Sequence, residues 1–369
     1  MRNTGTEIDI TGYIGTLIGG GAERVFVTLM NHFEDMGYSL RVVIGYGDCS
    51  RRNGLRESIP VHILGVTSSK KAISRITRYL KANRTKRLFV IGPENTVNAI
   101  IARRLLNEDF KIISYCTSTL SYEYKYAGTF FRRNITRIGV KAFYKKADTI
   151  VAQTNLMMKD LEEYFDIPKD KLVVIHNPLA KRFEQIQQNK EKEKNVEKAD
   201  VLLFVGRLGK EKAIDLLLYA FEILCRKNET TELRIVGDGD QKEDLLKLSS
   251  KLRIGKRVTF VPFTDNIEDE YKNAKATVLC SYYEGMPNVL IESIACGTPV
   301  VSFDLPGGPA DIIEDGINGY LAKYLDINNL AECMQKALDK EWDSVDIKNS
   351  ANKFLGESIL PKYEKVVGL

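Results

Sequence analysis

Apolar residues in this chain come in short runs that recur at intervals: Ile8 to Tyr13, Leu40 to Ile44, Leu88 to Ile91, Lys111 to Ser114 and Thr149 to Ala152. Such runs, bounded by polar residues, predict buried parallel strands. Between several of them the apolar spacing becomes helical, as at Val25, Leu29 and Phe33. This β–α alternation predicts a doubly wound sheet. After Val173, Val174, Ile175, His176, Asn177 and Pro178 the periodicity is lost from Lys181 to Lys198, where the polar NKEKEKNVEKAD begins. That stretch reads as a linker or an exposed helix. The alternation then restarts with Val201 to Val205, Leu233 to Val236, Val258 to Val261, Ala276 to Leu279 and Pro299 to Phe303. Ile214, Leu217, Leu218, Phe221 and Leu224 form the clearest intervening helix. The pattern predicts two α/β domains in tandem, each with a Rossmann-like sheet, and ligands outside the carboxyl ends of the strands.

Composition agrees with two ordinary cores. A chain of 369 residues favours two domains, and 44% hydrophobic with 28% charged residues is usual for globular proteins. No apolar run reaches the roughly 18 residues of a membrane helix. The opening MRNTGTEIDI lacks the basic and apolar regions of a secretory signal, so a cytoplasmic location is expected. Cys49, Cys116, Cys225, Cys280, Cys296 and Cys333 are scattered and the chain has three histidines, which gives no zinc-ligand spacing. They read as reduced thiols.

Charge changes the picture more. The net +5 divides into +10 over residues 1–180 and −5 over 181–369, which points the first half toward an anionic partner. Two stretches carry most of it. Lys70, Lys71, Arg75, Arg78, Lys81, Arg84, Lys86 and Arg87 lie between Glu57 and Glu94 with no acid, and Lys125, Arg132, Arg133, Arg137, Lys141, Lys145 and Lys146 lie between Glu123 and Asp148 with none. The second stretch also holds Tyr124, Tyr126, Phe130, Phe131, Phe143 and Tyr144. Cations mixed with aromatics suit an anionic membrane surface; the alternative is a pair of solvated helix faces with inward aromatics.

The candidate chemistry sits at strand ends in the second half. Gly206, Arg207 and, five residues on, Lys212 follow the Val201 to Val205 run. Arg can clamp two phosphate oxygens and Lys adds a point charge, so the pair suits a diphosphate. After Ala276 to Leu279 comes Ser281, Tyr282, Tyr283, Glu284, Gly285, Met286, Pro287, Asn288, Val289, Leu290, Ile291, Glu292. Pro287 fits a first helical turn, and the amides near Met286 to Val289 would face an anion at the helix start. Glu284 and Glu292 could accept hydroxyl hydrogen bonds from a sugar and from a ribose. Asp238 and Asp240 read as turn and cap residues rather than as a metal site, and no metal or cofactor is expected. Pro306-Gly307-Gly308-Pro309 reads as a backbone wall beside this site.

The order GRL-x-K-E-K, VGDGD, E-x7-E within SYYEGMPNVLIESIACGTPVV, and GGPADIIEDGINGYLA closely resembles the C-terminal domain of retaining family-4 glycosyltransferases of the GT-B fold. IGGGAERV, Ile18 to Val25, resembles their first loop, and VVIHNP the end of their first domain. The resemblance implies two Rossmann-like domains facing a central cleft. The expected division is an acceptor domain over 1–180, a nucleotide-sugar domain over 181–345 and a helical segment over 346–369 crossing back to the first domain. It implies that Arg207 and Lys212 hold the donor diphosphate, Glu284 the transferred sugar and Glu292 the ribose. Gly285, Met286, Pro287, Asn288, Val289 and Leu290 supply the helix terminus, and Gly20 and Gly21 allow close backbone approach. Many relatives carry a His in the stretch matching Ile112 to Ser118, and here Cys116 or a neighbour takes that place as the sugar-side candidate.

The expected activity is therefore retaining transfer of a hexose or N-acetylhexosamine from a UDP-sugar to a growing, lipid-linked glycan in bacterial surface polysaccharide assembly. The cytoplasmic face of the inner membrane, met through residues 70–87 and 125–146, is the expected surface. A sugar-nucleotide epimerase of the same architecture is the alternative within enzymes. A nucleic-acid-binding protein is the alternative outside them, though no base-reading module is visible and no nucleic-acid partner is expected.

Overall fold

Strands buried on both faces must be flanked by helices on both, and two separate parallel sheets meet that requirement here. The structure, a computed structural model, describes residues 7–46, 52–67, 69–126, 130–188, 198–264 and 266–368, without the side chains of 69–70 and 130–136. One unit comprises residues up to Pro178 together with Glu357 onward, and the other Leu179–Gly356. The first contains β1 (Ile8–Ile14), β2 (Leu40–Ile44), β3 (Val61–Ile63), β4 (Thr85–Ile91), β5 (Lys111–Tyr115), β6 (Thr149–Ala152) and β7 (Leu172–Val174). They pair in parallel in the order β3-β2-β1-β4-β5-β6-β7. The second unit contains β8 (Ala199–Val205), β9 (Glu232–Val236), β10 (Val258–Val261), β11 (Ala274–Leu279), β12 (Val300–Phe303) and β13 (Gly319–Ala322), ordered β10-β9-β8-β11-β12-β13.

Each strand order reverses once, between β1 and β4 in the first sheet and between β8 and β11 in the second. Chain leaving the carboxyl ends of such a pair turns to opposite faces and opens a crevice for a ligand. The period of two decides which residues build each face. On β4, Leu88 and Val90 join a core with Val43, Ile112 and Ile150, whereas Phe89 and Ile91 join the opposite one with Ile10, Ile44 and Ile113.

That opposite core is completed from the far end of the sequence. The helix Gly356–Val367 buries Ile359, Tyr363 and Val367 there, with the Tyr363 ring 6.4 Å from Phe89. Glu364 accepts from or pairs with His32 at 2.9 Å. The segment 346–369 is thus divided: the helix Ser344–Ser350 and the turn Asn352–Phe354 stay with the second unit, and only the last helix joins the first.

Several sequence expectations shift in detail. The strands β3 and β13 are not apparent from hydrophobic runs because His62 interrupts one, Gly319 opens the other, and both are short edge strands, whereas the equally short edge strand β10 reads as Val258 to Val261; β7 lies in the apolar stretch 172–175, to which no strand was assigned. Lys181–Gln188 is a helix that buries Phe183 against Tyr271, ring centroids 6.0 Å apart; residues 189–197 lie outside the described set. The described cysteines are free thiols, and Cys49 lies outside.

The basic stretches separate. Helix Ser69–Ala82 buries Ala72, Ile76, Tyr79 and Leu80 and exposes Lys71, Arg75, Arg78 and Lys81, a stripe at helical spacing. Beyond it Arg84 pairs with Glu108 at 3.4 Å and Lys86 with Asp9 at 2.8 Å, which holds the Asp9 carboxyl down at about 2. In the second stretch Lys141 pairs with Asp166 at 3.0 Å, and Arg137 donates to the Tyr164 hydroxyl at 3.0 Å. Tyr124 and Tyr144 are buried, so they are core residues and not headgroup contacts. The side chains of Phe130, Phe131, Arg132 and Arg133 lie outside the description. No helix among the described residues is long and apolar enough to cross a membrane.

Candidate active site

At the switch point of the second sheet, the loops after β8 and β11 bring together the two motifs that the sequence separates by about seventy residues. Lys212 Nζ lies 2.6 Å from Glu284 Oε1, and Ser281 Oγ donates to that same oxygen at 2.6 Å. Lys212 and Glu284 are both largely withdrawn from solvent, with side chains 22% and 15% exposed. Arg207 is 74% exposed and pairs with Glu211 at 2.5 Å. Both cations of the expected clamp therefore hold a carboxylate. The two loops are tied by backbone as well: the Tyr282 amide donates to the Glu211 carbonyl at 2.9 Å. Cys280, fully buried, points its thiol at the Lys212 carbonyl 3.1 Å away, and burial pushes that thiol upward so it stays protonated.

Neighbouring loops are shaped to leave room for this arrangement. Gly237 has φ +146°, and a Cβ there would meet the Gly206 carbonyl oxygen at 1.9 Å; only glycine lets the loop after β9 brace the Arg207 loop so closely. Asp238 Oδ1 accepts from the Gly239 amide at 2.8 Å, and its other oxygen faces Lys242 at 3.7 Å. Asp238 thus does turn work, and no group of three or more His, Cys, Asp and Glu side chains is placed around a metal position among the described residues. On the other side, a Cβ on Gly307 would lie 2.9 Å from the Glu284 carbonyl oxygen, and the Glu284 amide donates to Pro306 O at 3.3 Å.

The helix expected from Pro287 starts one residue later, at Asn288–Ala295, with Pro287 as its cap at ψ 98°. The Leu290 amide donates to Pro287 O at 3.0 Å, so it is already committed to the chain and is removed from the anion-binding set. Met286, Pro287 and Leu290 have buried side chains, Gly285 is buried, and Asn288 and Val289 are half-buried. Glu292 is 3% exposed and accepts from the Tyr271 hydroxyl at 3.1 Å.

In the first unit, Gly20 caps the helix Gly21–Asp35 in the loop after β1, at that sheet's own switch point. Glu23 Oε2 accepts the Gly20 amide at 2.8 Å and the Gly19 amide as well, and its other oxygen takes the Thr16 hydroxyl. The amides that the glycine motif would offer a ligand are met by an internal carboxylate.

Two family descriptions match the chain in succession: "Glycosyltransferase Family 4" over residues 19–180 and "Glycosyl transferases group 1" over 185–354. The chain belongs to glycosyltransferase family 4. An N-acetylgalactosaminyltransferase of Campylobacter jejuni, named as acting on an N,N'-diacetylbacillosaminyl-diphospho-undecaprenol substrate, is 27% identical over 92% of both chains. Among solved structures, the lipopolysaccharide outer core galactosyltransferase WaaB superposes with a TM-score of 0.74 at 20% identity, covering 97% of this chain and 99% of that one. HepE of Anabaena, solved in complex with UDP, superposes with 0.75 at 16% identity over 98% of each. The fold is GT-B.

In this family-4 glycosyltransferase, the position read as sugar-side behaves as a core residue. Cys116 is fully buried, its thiol donates toward Ser118 O at 3.4 Å, and desolvation pushes its pKa up to about 12. A buried, protonated thiol packed among Leu120, Tyr144 and Ala152 is a correction to that expectation. Polar groups nearby are Glu123, which takes the Ser118 hydroxyl, and Asp160, which accepts the Ser121 amide at 3.2 Å; burial raises both carboxyls. His176 is held at 2.8 Å by the Gln153 carbonyl. Sequence reading passed over Tyr271 and gave no part to Glu23, Glu211 or Ser281, although the motifs contain them. Glu23 was detectable as an acid three residues past a helix cap, where its carboxylate can reach back to the cap amide, and Glu211 by its i,i+4 spacing from Arg207; Tyr271 left no local signal.

The Cys116 correction predicts an inert thiol. Iodoacetamide at pH 8, with peptide mapping, should leave Cys116 unmodified until denaturant is added, and Cys116→Ala should retain turnover within about threefold. Rapid alkylation of the native chain with loss of activity would restore Cys116 to the site.

Proposed function

We propose that this chain is a retaining transferase that moves a hexose or N-acetylhexosamine from a UDP-sugar to a lipid-linked glycan in surface polysaccharide synthesis. The observation that carries the reading is the meeting of Lys212 and Glu284 at the switch point of the second sheet, with Arg207 on the same loop as Lys212 and paired to Glu211. A diphosphate entering there exchanges each carboxylate partner for phosphate oxygens. Arg207 gives little up, since an exposed pair is worth about 0–1 kcal/mol. Lys212 leaves a largely buried partner, and the greater charge of the diphosphate is what draws it away. Glu284, released from the ammonium, then accepts hydroxyl hydrogen bonds from the sugar. Glu292, held by Tyr271, receives the ribose hydroxyls.

Transfer on this account is electrostatic. Departure of UDP builds negative charge on the diphosphate, which Arg207, Lys212 and the helix-terminus amides of Asn288–Ala295 stabilise where it forms. The sugar passes through an oxocarbenium-like state; the acceptor hydroxyl attacks from the face that the diphosphate leaves and gives its proton to the departing phosphate oxygen, so configuration is retained. The fixed cations do the work of a metal, so none is required. UDP complexes of structural neighbours support the nucleotide, and the diphospho-undecaprenol substrate in the name of the Campylobacter relative supports the acceptor class. The stripe Lys71, Arg75, Arg78 and Lys81 supports docking on an anionic, cytoplasmic membrane face where such an acceptor resides.

A panel of UDP-, GDP- and ADP-sugars with polyprenyl-diphosphate glycan acceptors, read by mass and by anomeric NMR, tests the reading. Transfer from a UDP-sugar with retained configuration and undiminished by EDTA is expected, and Arg207→Ala or Lys212→Ala should each lower it about 100-fold or more. Turnover restricted to GDP- or ADP-sugars, inversion, or loss on chelation restored by manganese would overturn the corresponding part.

Co-sedimentation with phosphatidylglycerol vesicles tests the surface. Replacing Lys71, Arg78 and Lys81 by Gln should weaken partitioning on the order of 100-fold, from about 1 kcal/mol per cation. Binding unchanged by the substitutions, or absent at low salt, would remove the membrane assignment.

A further inference from the structure

The proposed chemistry uses Glu284 and Lys212 but gives Ser281 no part, and its placement is unlike that of an ordinary core hydroxyl. Ser281 is completely buried directly after Cys280 and three residues before Glu284. Buried hydroxyls usually bond to nearby backbone carbonyls or to other hydroxyls. Ser302 does so with Phe303 O at 2.8 Å, and Ser293 with Thr298 O at 3.0 Å and the Thr277 hydroxyl at 2.8 Å. Ser281 instead donates at 2.6 Å to Glu284 Oε1, the same oxygen that receives Lys212 Nζ at 2.6 Å. This is a charge-assisted bond, stronger than a neutral one. One oxygen thus has a mobile partner on a long stem and an immobile one on a buried Cβ.

That asymmetry matters once the ammonium leaves. A carboxylate only 15% exposed that loses its counter-ion is poorly solvated, and its orientation then rests on the donors that stay in place. A donor fixed in the core keeps Oε1 where it stands and leaves the head oriented for the incoming hydroxyls. Resting on the donor-site reading above, we propose that Ser281 is a positioning residue: it holds Glu284 in its sugar-binding orientation while Lys212 passes from that carboxylate to the donor diphosphate. Ser281 touches no substrate in this role and acts only through Glu284. Its removal should therefore affect the step that depends on the sugar contact and spare binding of the nucleotide.

A double-mutant cycle separates this from a structural role. Ser281→Ala, Glu284→Gln, the double variant and, as a control for losing a buried hydroxyl, Ser302→Ala would be compared with the wild type. The readouts are kcat, KM for UDP-glucose or UDP-N-acetylglucosamine, whichever is turned over, and UDP affinity by calorimetry. Ser281→Ala should lower kcat about tenfold to hundredfold, the usual effect of losing a hydrogen bond to a charged group, with UDP affinity within about threefold. In the Glu284→Gln background it should cost no more than about threefold, since the group it orients has lost its charge. Full additivity in the double variant, a fall in UDP affinity matching the fall in kcat, or an equal kcat loss in Ser302→Ala would overturn the proposal. Those outcomes leave the donor-site reading standing. A wild-type chain that binds no nucleoside diphosphate would remove the reading and this proposal with it.

Discussion

The site depends on a balance of charge at one sheet edge. Two cations placed by the loop after β8 would repel each other and any third cation unless anions meet them, and Glu211 at 2.5 Å and Glu284 at 2.6 Å do so. Because Lys212 and Glu284 are largely withdrawn from water, their attraction is less screened than that of a surface pair, and breaking it without replacement is costly. The pair therefore ties the loops after β8 and β11 together. On the proposed reading, a ligand displaces it only by bringing dense negative charge to Lys212 and hydroxyl donors to Glu284. In the first unit Glu23 gathers the Gly19 and Gly20 amides in a comparable way.

The fold supplies this arrangement with little freedom. Parallel order forces every loop at the carboxyl edge to follow a strand, and the reversal between β8 and β11 makes their loops neighbours although Arg207 and Glu284 are far apart in the chain. Close backbone packing then fixes the loops: Gly237 against the Gly206 carbonyl and Gly307 against the Glu284 carbonyl allow no side chain. The hydrogen bond from Tyr282 N to Glu211 O couples the two motifs directly. Rigid backbone carries long side chains that can change partner, which suits a site that must bind, react and release.

The elements that were legible in sequence are those whose physics is local and strong. Central strands such as β4, β8 and β11 are buried on both faces and read as apolar runs; the short edge strands β3, with His62 at its centre, and β13, which opens on Gly319, do not. Arg207, Lys212 and Glu284 stood out as candidates because charge just after a strand end is unusual, and Glu292 because the motif order matches a known family. How Lys212 and Glu284 pair was not legible, since pairing across the switch point depends on sheet order. Cys116 was misread for a related reason: one residue past β5 in sequence does not say which side of the sheet edge a side chain takes, and here it turns into the core. Tyr271 reaches Glu292 from the helix Ile267–Asn273, a contact no spacing rule anticipates.

The claim that ties these observations together is that the clamp exchanges its internal carboxylates for a diphosphate. A crystal structure of the chain with UDP tests it most directly. The account predicts a diphosphate beside the β8 loop, Lys212 Nζ within hydrogen-bond distance of a phosphate oxygen and no longer on Glu284, and Ser281 Oγ still bonded to Glu284 Oε1. UDP bound elsewhere, or bound with the Lys212–Glu284 pair still at 2.6 Å, would contradict it.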